Sequence, residues 1–166
     1  MLKLIELNDD NYDELSRLEI RADQKAFVKD FRGCIEYKNE NPFLKIYGIY
    51  DAEINKFVGL TAVARWDDQA LPIENRWCWL DELFIDIKYQ HLGYGKRAIP
   101  LILSLMKEMY KPKFIVLSVC NDNPAKHLYE ELGFIKTDLI YDEASDSILR
   151  PDIIKCHDEI LMYKLV

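Results

Sequence analysis

Nowhere in the 166 residues does an uninterrupted apolar run approach the ~18 residues that a membrane span requires. The opening Met1-Leu2-Lys3-Leu4-Ile5-Glu6 turns acidic at once and carries no apolar signal region, so a soluble, cytoplasmic chain is expected. Cysteine is sparse: Cys34, Cys78, Cys120 and Cys156 stand far apart with no Cys-x-x-Cys, which argues against a zinc knuckle or a disulfide framework and for reduced thiols. His91, His127 and His157 form no ligand spacing, so no metal site is expected. Gly/Ser/Pro linkers, low-complexity tracts and internal repeats are absent, and a single domain over residues 1–166 is expected. Positive charge is also in deficit. The formal net charge is −7, which disfavours a nucleic-acid partner and suits a cationic one.

What is present is core-forming material: 49% hydrophobic and 31% charged residues exclude the disordered class. Leu2–Leu7 alternates as a strand, and Asn8-Asp9-Asp10 can cap a helix reaching about Ile20. Helical spacing of Ala26, Phe27, Phe31, Cys34 and Ile35 predicts a second helix over Asp23–Tyr37, ended by Asn41-Pro42. Leu44–Tyr50 and Lys56–Trp66 read as a hairpin, and Arg76–Asp86 as a third long strand after a loop containing Pro72. Tyr94–Tyr110 is the strongest helix, with Ala98, Leu101, Ile102, Leu105 and Met109 on one face and an unexpected Pro100 inside. Phe114–Val119 follows as a buried strand. The next helix spans Pro124–Leu132, with Pro124 at its first position and Gly133 at its stop. Strands at about Ile135–Tyr141 and Glu159–Lys164, separated by an acidic loop, close the chain. The predicted order is β-α-α-β-β-β-α-β-α-β-β, an α/β (α+β) mixed sheet with helices on both faces.

Residues 90–95, Gln-His-Leu-Gly-Tyr-Gly, sit where a strong strand meets a strong helix. Two glycines let successive N–H groups converge without side chains in the way, and the helix end behind them favours an anion. Lys96 and Arg97 add positive charge. A phosphate cradle and an ordinary glycine turn both fit this hexapeptide. Gly93-Tyr94-Gly95-Lys96-Arg97-Ala98 also satisfies the Gly-x-Gly-x-x-Gly/Ala dinucleotide pattern. That pattern needs glycines directly after a strand and several further βα units, and here only one such unit follows.

A second segment, Asn121-Asp122-Asn123-Pro124-Ala125-Lys126-His127-Leu128-Tyr129-Glu130-Glu131-Leu132-Gly133-Phe134, breaks the tie. Together with Gln90-x-x-Gly93-x-Gly95 it resembles the GNAT N-acetyltransferase superfamily. The resemblance implies a GNAT-like fold and acetyl-CoA as cosubstrate. It implies Leu83, Phe84 and Ile85 as the strand that pairs with pantetheine, and Gln90, His91, Leu92, Gly93, Tyr94, Gly95 and Lys96 around the pyrophosphate. Asn123, Lys126 and Tyr129 complete the expected CoA contacts, with Tyr129 as general acid toward the leaving thiol. Many relatives carry the asparagine where this chain has Asp122, although the Asn-Pro-Ala version also occurs.

An amine must lose a proton before it attacks, so a carboxylate near the cleft is expected. Asp81 and Glu82 lie just ahead of the pantetheine segment. Strand alternation puts them on opposite faces unless a bulge intervenes. The resemblance to diamine acetyltransferases favours Asp81, and pairing with a basic residue is the structural alternative. Asp23-Gln24-x-x-Phe27-Val28, Pro42-Phe43 and Val58-Gly59 are similar to bacterial spermine/spermidine acetyltransferases, which implies a small-molecule polyamine acceptor and a homodimer. Trp66, Trp77, Trp79 and Asp67-Asp68 are available to line a cation site or to serve as core and solvated turn. Other acceptors (an aminoglycoside, an amino acid, a protein N-terminus) and a non-catalytic CoA-binding sensor are the alternatives.

Overall fold

The computed structural model describes residues 1–65, 77–137, 140–142, 147–149 and 159–166. In chain order the elements are β1 (Leu2–Glu6), α1 (Asp9–Leu15), α2 (Phe31–Glu40), β2 (Leu44–Asp51), β3 (Lys56–Arg65), β4 (Trp77–Ile85) and α3 (Tyr94–Tyr110). They continue with β5 (Phe114–Cys120), α4 (Ala125–Glu131), β6 (Ile135–Thr137), β7 (Ile140–Asp142), β8 (Ser147–Leu149) and β9 (Glu159–Leu165). Seven strands form one mixed sheet in the order β1-β2-β3-β4-β5-β9-β6, with β7 and β8 as a separate pair. Every neighbouring pair in the large sheet is antiparallel except β4 and β5, which run parallel.

Two apolar layers hold this sheet. On one face α3 packs Ala98, Ile99, Ile102 and Met106 against Val58, Leu80, Ile115 and Leu117. On the other, Leu15 of α1 and Phe31 and Cys34 of α2 pack against Leu44, Leu60 and Phe84. Burying one such Leu or Ile contributes about 1.5–3 kcal/mol, more than a typical cap at ~1 kcal/mol, so the two faces rather than the helix ends decide stability. The buried face of α3 is rotated from the predicted one: Ile99, Leu103 and Met106 are inside, and Leu101 is exposed. Pro100 sits on the exposed side of α3. Among the described residues no helix is long and apolar enough to cross a membrane.

The predicted early helices are both too long. Asn8 caps α1 as expected, accepting from the backbone N–H groups of Asp10 and Asn11. The helix stops at Leu15, however, and four residues on the Glu19 N–H donates to Asp86 Oδ2, 2.9 Å away, instead of to a helical carbonyl. The predicted Asp23–Tyr37 helix is two pieces. Ala22–Gln24 forms one 3₁₀ turn, turns and a bend follow, and α2 begins only after Asp30, whose carboxylate accepts from the Gly33 N–H at 3.0 Å. Its stop agrees with the prediction, since Asn41 folds back on the Tyr37 carbonyl. The predicted strand over 135–141 also divides: β6 pairs with β9, and Ile140–Asp142 pairs with Ser147–Leu149.

Candidate active-site groove

The parallel β4–β5 ladder is short. It joins Trp77–Trp79 to Phe114–Val116 and stops there. Beyond Trp79 the two strands part, and the backbone edge of β4 faces a groove that an extended amide chain could join as an added strand. The groove has two arms, of about 350 Å³ and about 820 Å³. Phe27, Val28, Leu83, Asn123, Ala125 and Tyr129 line both, so the arms meet where α4 faces β4.

The smaller arm runs along Leu83, Phe84 and Ile85 to Gly93, Gly95 and Lys96. Gly93 caps α3 with φ 79°, a left-handed conformation that favours glycine. Gly95 is different. A Cβ there would make only an ordinary 3.5 Å contact with Leu128, so the fold itself does not demand glycine at that position. The open space beside both glycines leaves room for a ligand to approach the backbone. Gln90 lines this arm, with its Nε2 donating to Ile85 O and Gln24 Oε1, both at 2.8 Å; it ties the loop to the end of β4. His91 also lines it, at φ 62° and 3.5 Å from an Arg21 guanidinium nitrogen. The Tyr94 ring lies in the same lining but its hydroxyl donates inward to buried Asp51 at 2.8 Å. Arg97 also turns to Asp51, 3.5 Å away, rather than to the arm's mouth. Lys96 pairs with Glu131 at 2.9 Å on the surface. Two expected contacts are not in the lining: Leu92 is exposed to solvent, and Lys126 reaches Asn121 Oδ1 at 3.2 Å.

The larger arm depends on an irregularity in β4. Ala62 lies opposite Glu82 and Val63 opposite Leu80, so Asp81 is an extra residue on β4. A bulge of this kind reverses the alternation of side chains. Cys78 and Leu80 belong to the α3 layer before it, while after it Leu83 and Ile85 do so and Phe84 joins the opposite layer. Strict alternation would have separated the adjacent acids; with the bulge both line the same arm. Glu82 is 6% exposed, with Oε1 2.6 Å from Lys29 Nζ and Oε2 accepting from the Lys29 backbone N–H at 3.2 Å. Burial raises its pKa to about 7 against the opposing pull of Lys29, and the neighbouring Asp81 charge pushes the same way as burial. Burial also raises Asp81, and its buried Oδ2 has no hydrogen-bond partner among the described residues. Burial alone would lower Lys29, but the bond to Glu82 and the two carboxylate charges outweigh it and hold its ammonium protonated. The Tyr37 ring completes the corner, with its centroid 4.6 Å from Lys29 Nζ.

Tyr129 sits at the junction, buried in the α3-side layer and edge-on to Phe134 at 5.7 Å. Burial, and then the Glu82 charge, push its phenol well above the ordinary range, so it stays protonated. Asn123 opens α4: its Oδ1 accepts from the Ala125 N–H at 2.9 Å. Asp122 is exposed and lines neither arm, so of the two alternative positions only 123 faces the groove. Trp77 and Trp79 line the larger arm, whereas Trp66 and Asp67-Asp68 lie outside the described residues. Lys29 and Tyr37 are site residues that no local sequence signal marks. The one trace of them in the sequence is the pair of acids in an otherwise apolar strand, which calls for a cation without saying which one.

The model of the Acetyltransferase (GNAT) family matches residues 6–134. A spermine/spermidine N(1)-acetyltransferase of Bacillus subtilis is 30% identical over 129 residues, covering 77% of this chain and 84% of the relative. Among solved structures, spermidine N-acetyltransferase from Vibrio cholerae in complex with CoA and spermine superposes with a TM-score of 0.69 at 21% identity, covering 99% of this chain and 95% of that one. A ribosomal-protein-S5-alanine acetyltransferase from Vibrio fischeri superposes nearly as well, with a TM-score of 0.66 at 12% identity over 99% of this chain and 92% of that one. The fold is therefore shared by enzymes whose acceptors differ.

Proposed function

We propose, from the premise that this chain belongs to the GNAT acetyltransferase family and uses acetyl-CoA, that it acetylates a primary amine of a small polyamine such as spermidine or spermine. The observation that carries the acceptor is the larger arm, where Asp81, Glu82 and aromatic rings surround a site already occupied by an alkylammonium group of the protein. Carboxylates and ring faces are the groups that recognise an extended polycation.

The smaller arm fits acetyl-CoA: a free β4 edge for the pantetheine amides and a glycine-opened helix end for the pyrophosphate. The thioester supplies the electrophilic carbonyl. Leu83, Phe84 and Ile85 orient it through their backbone, and Asn123 borders it at the junction. Gly93, Gly95 and Lys96, with the Gln90 and His91 backbone, hold the phosphates in this reading; Leu92 and Lys126 flank it. The acceptor enters as an ammonium and must lose a proton. Glu82, with its pKa raised to about 7, suits that step near neutral pH, and Asp81 holds the cationic chain beside it. As the C–N bond forms and the C–S bond breaks, the Tyr129 hydroxyl gives its proton to the departing sulfur, and the second proton shed by the acylated nitrogen restores the phenol. The buried phenol, held above its ordinary range near 10, is mismatched to a thiol near 8.5, so its position at the junction must supply the advantage, about 10²–10⁴-fold for a positioned acid. Transfer is direct, with both substrates bound together. A cytoplasmic homodimer belongs to the same proposal, and light scattering on the purified chain checks the dimer.

The test is thiol release from acetyl-CoA over a panel of spermidine, spermine, diaminobutane, an aminoglycoside, an amino acid and a short peptide. Polyamines should lead the panel and Tyr129→Phe should suppress the rate. Preference for the peptide or amino acid would replace the acceptor, and background rates with every amine would favour a CoA-binding sensor.

A further inference from the structure

Lys29 brings a positive charge to the larger arm, which Arg65 also lines, and it is the cation that meets Glu82. Its ammonium is 2.6 Å from Glu82 Oε1 and 4.6 Å from the centre of the Tyr37 ring. A carboxylate and an aromatic face are together the recognition set for a primary alkylammonium, and a lysine end and a polyamine end are the same chemical group. We propose that Lys29 is a displaceable internal counter-ion: its ammonium fills the Glu82–Tyr37 seat while the arm is empty, and an ammonium of the acceptor takes the seat on binding. This deepens the polyamine reading above and rests on it.

Three features allow the exchange. First, the Lys29 side chain is 43% exposed whereas Glu82 is 6% exposed, so the lysine reaches the acid from the solvent side and can withdraw the same way. Second, the Lys29 N–H holds Glu82 Oε2, so the backbone can stay in place while the side chain swings out. Its segment between Gln24 and Asp30 is a run of turns and a bend, with no helical ladder to break. Third, the exchange is isoelectric, with one ammonium leaving the floor and one entering. Asp81, with its unpartnered Oδ2 beside the seat, leaves acidic capacity for the next charge of a polycation. The resident lysine must then discount acceptor affinity, because each binding event first vacates the seat.

Calorimetric titration of spermidine into the CoA-saturated protein at about pH 9, above the raised Glu82 range, tests the exchange. Lys29→Met should tighten spermidine by about five-fold or more, since the competitor is gone. Lys29→Arg should weaken it, because a guanidinium grips the carboxylate through a fork and stacks on the ring. CoA affinity, from a separate titration of CoA into each ligand-free variant, should match the wild type and show that each variant is folded. Unchanged or weaker spermidine binding by Lys29→Met would overturn the proposal and make Lys29 a permanent partner of Glu82. The polyamine reading fails differently: the wild type itself would then bind no spermidine.

Discussion

The two arms of the groove are made of different material. The smaller is built from backbone: a strand edge freed where β4 and β5 part, and a helix end opened by Gly93 and Gly95. The larger is built from side chains that reach it from segments far apart in sequence, with Lys29, Tyr37, Glu82 and Tyr129 among them. A backbone site recognises what is constant in a family, because every residue carries the same N–H and C=O. A side-chain site can change its ligand with a few substitutions. The Vibrio cholerae and Vibrio fischeri enzymes illustrate this, sharing the fold while named for different acceptors.

That contrast can be broken at the junction, and the largest effect is expected there. Tyr129→Phe removes the hydroxyl proposed as proton donor while keeping the ring against Phe134, and should lower kcat about 10²–10⁴-fold with little change in either KM. An unchanged kcat would assign the proton to water. Next comes Asp81→Asn, which should cut kcat/KM for spermidine about tenfold, the equivalent of one lost charge contact, while leaving the acetyl-CoA KM in place. It should also raise the melting temperature slightly, since it relieves a buried charge whose Oδ2 has no partner. Loss of stability instead would make Asp81 a structural residue.

The smallest of these effects is on stability alone. Glu82 titrates higher in the fold, at about 7, than its ordinary 4.5, so the folded state holds that proton more tightly than the unfolded chain. Its stabilising contribution is therefore full below about 4.5 and is lost as pH rises through about 7. Melting temperature followed across that window should show a decline in the wild type that Glu82→Gln flattens. A slope identical in both proteins would place the titration elsewhere.

The same contrast explains what could be read in advance. The bounds of α3, the β2–β3 hairpin and the glycine loop follow from local signals: period, turn residues, and glycines at a strand-to-helix junction. They agree with the structure to within a residue or so. The larger arm was only half legible. Nothing in Trp-Cys-Trp-Leu-Asp-Glu-Leu-Phe-Ile marks Asp81 as an insertion, because a bulge is defined by its partner strand and not by the strand itself. Ala26 and Phe27 mimic helical spacing with Phe31, although Phe27 is spent on the groove and the Lys29 N–H on a carboxylate 53 residues away. Long-range pairing of this kind leaves no period to find.

Bisubstrate initial rates for the wild type, Gly93→Ala and Glu82→Gln, varying acetyl-CoA and spermidine together, test the two-arm account most directly. The wild type should give the intersecting pattern of a complex holding both substrates. Gly93→Ala, which forces a side chain into a left-handed conformation worth roughly 1–2 kcal/mol, should raise the acetyl-CoA KM about five- to thirty-fold and leave the spermidine KM alone. Glu82→Gln should lower kcat and raise the spermidine KM while leaving the acetyl-CoA KM in place. Parallel lines, or variants that each disturb both substrates equally, would contradict a groove made of two separable arms meeting at Tyr129.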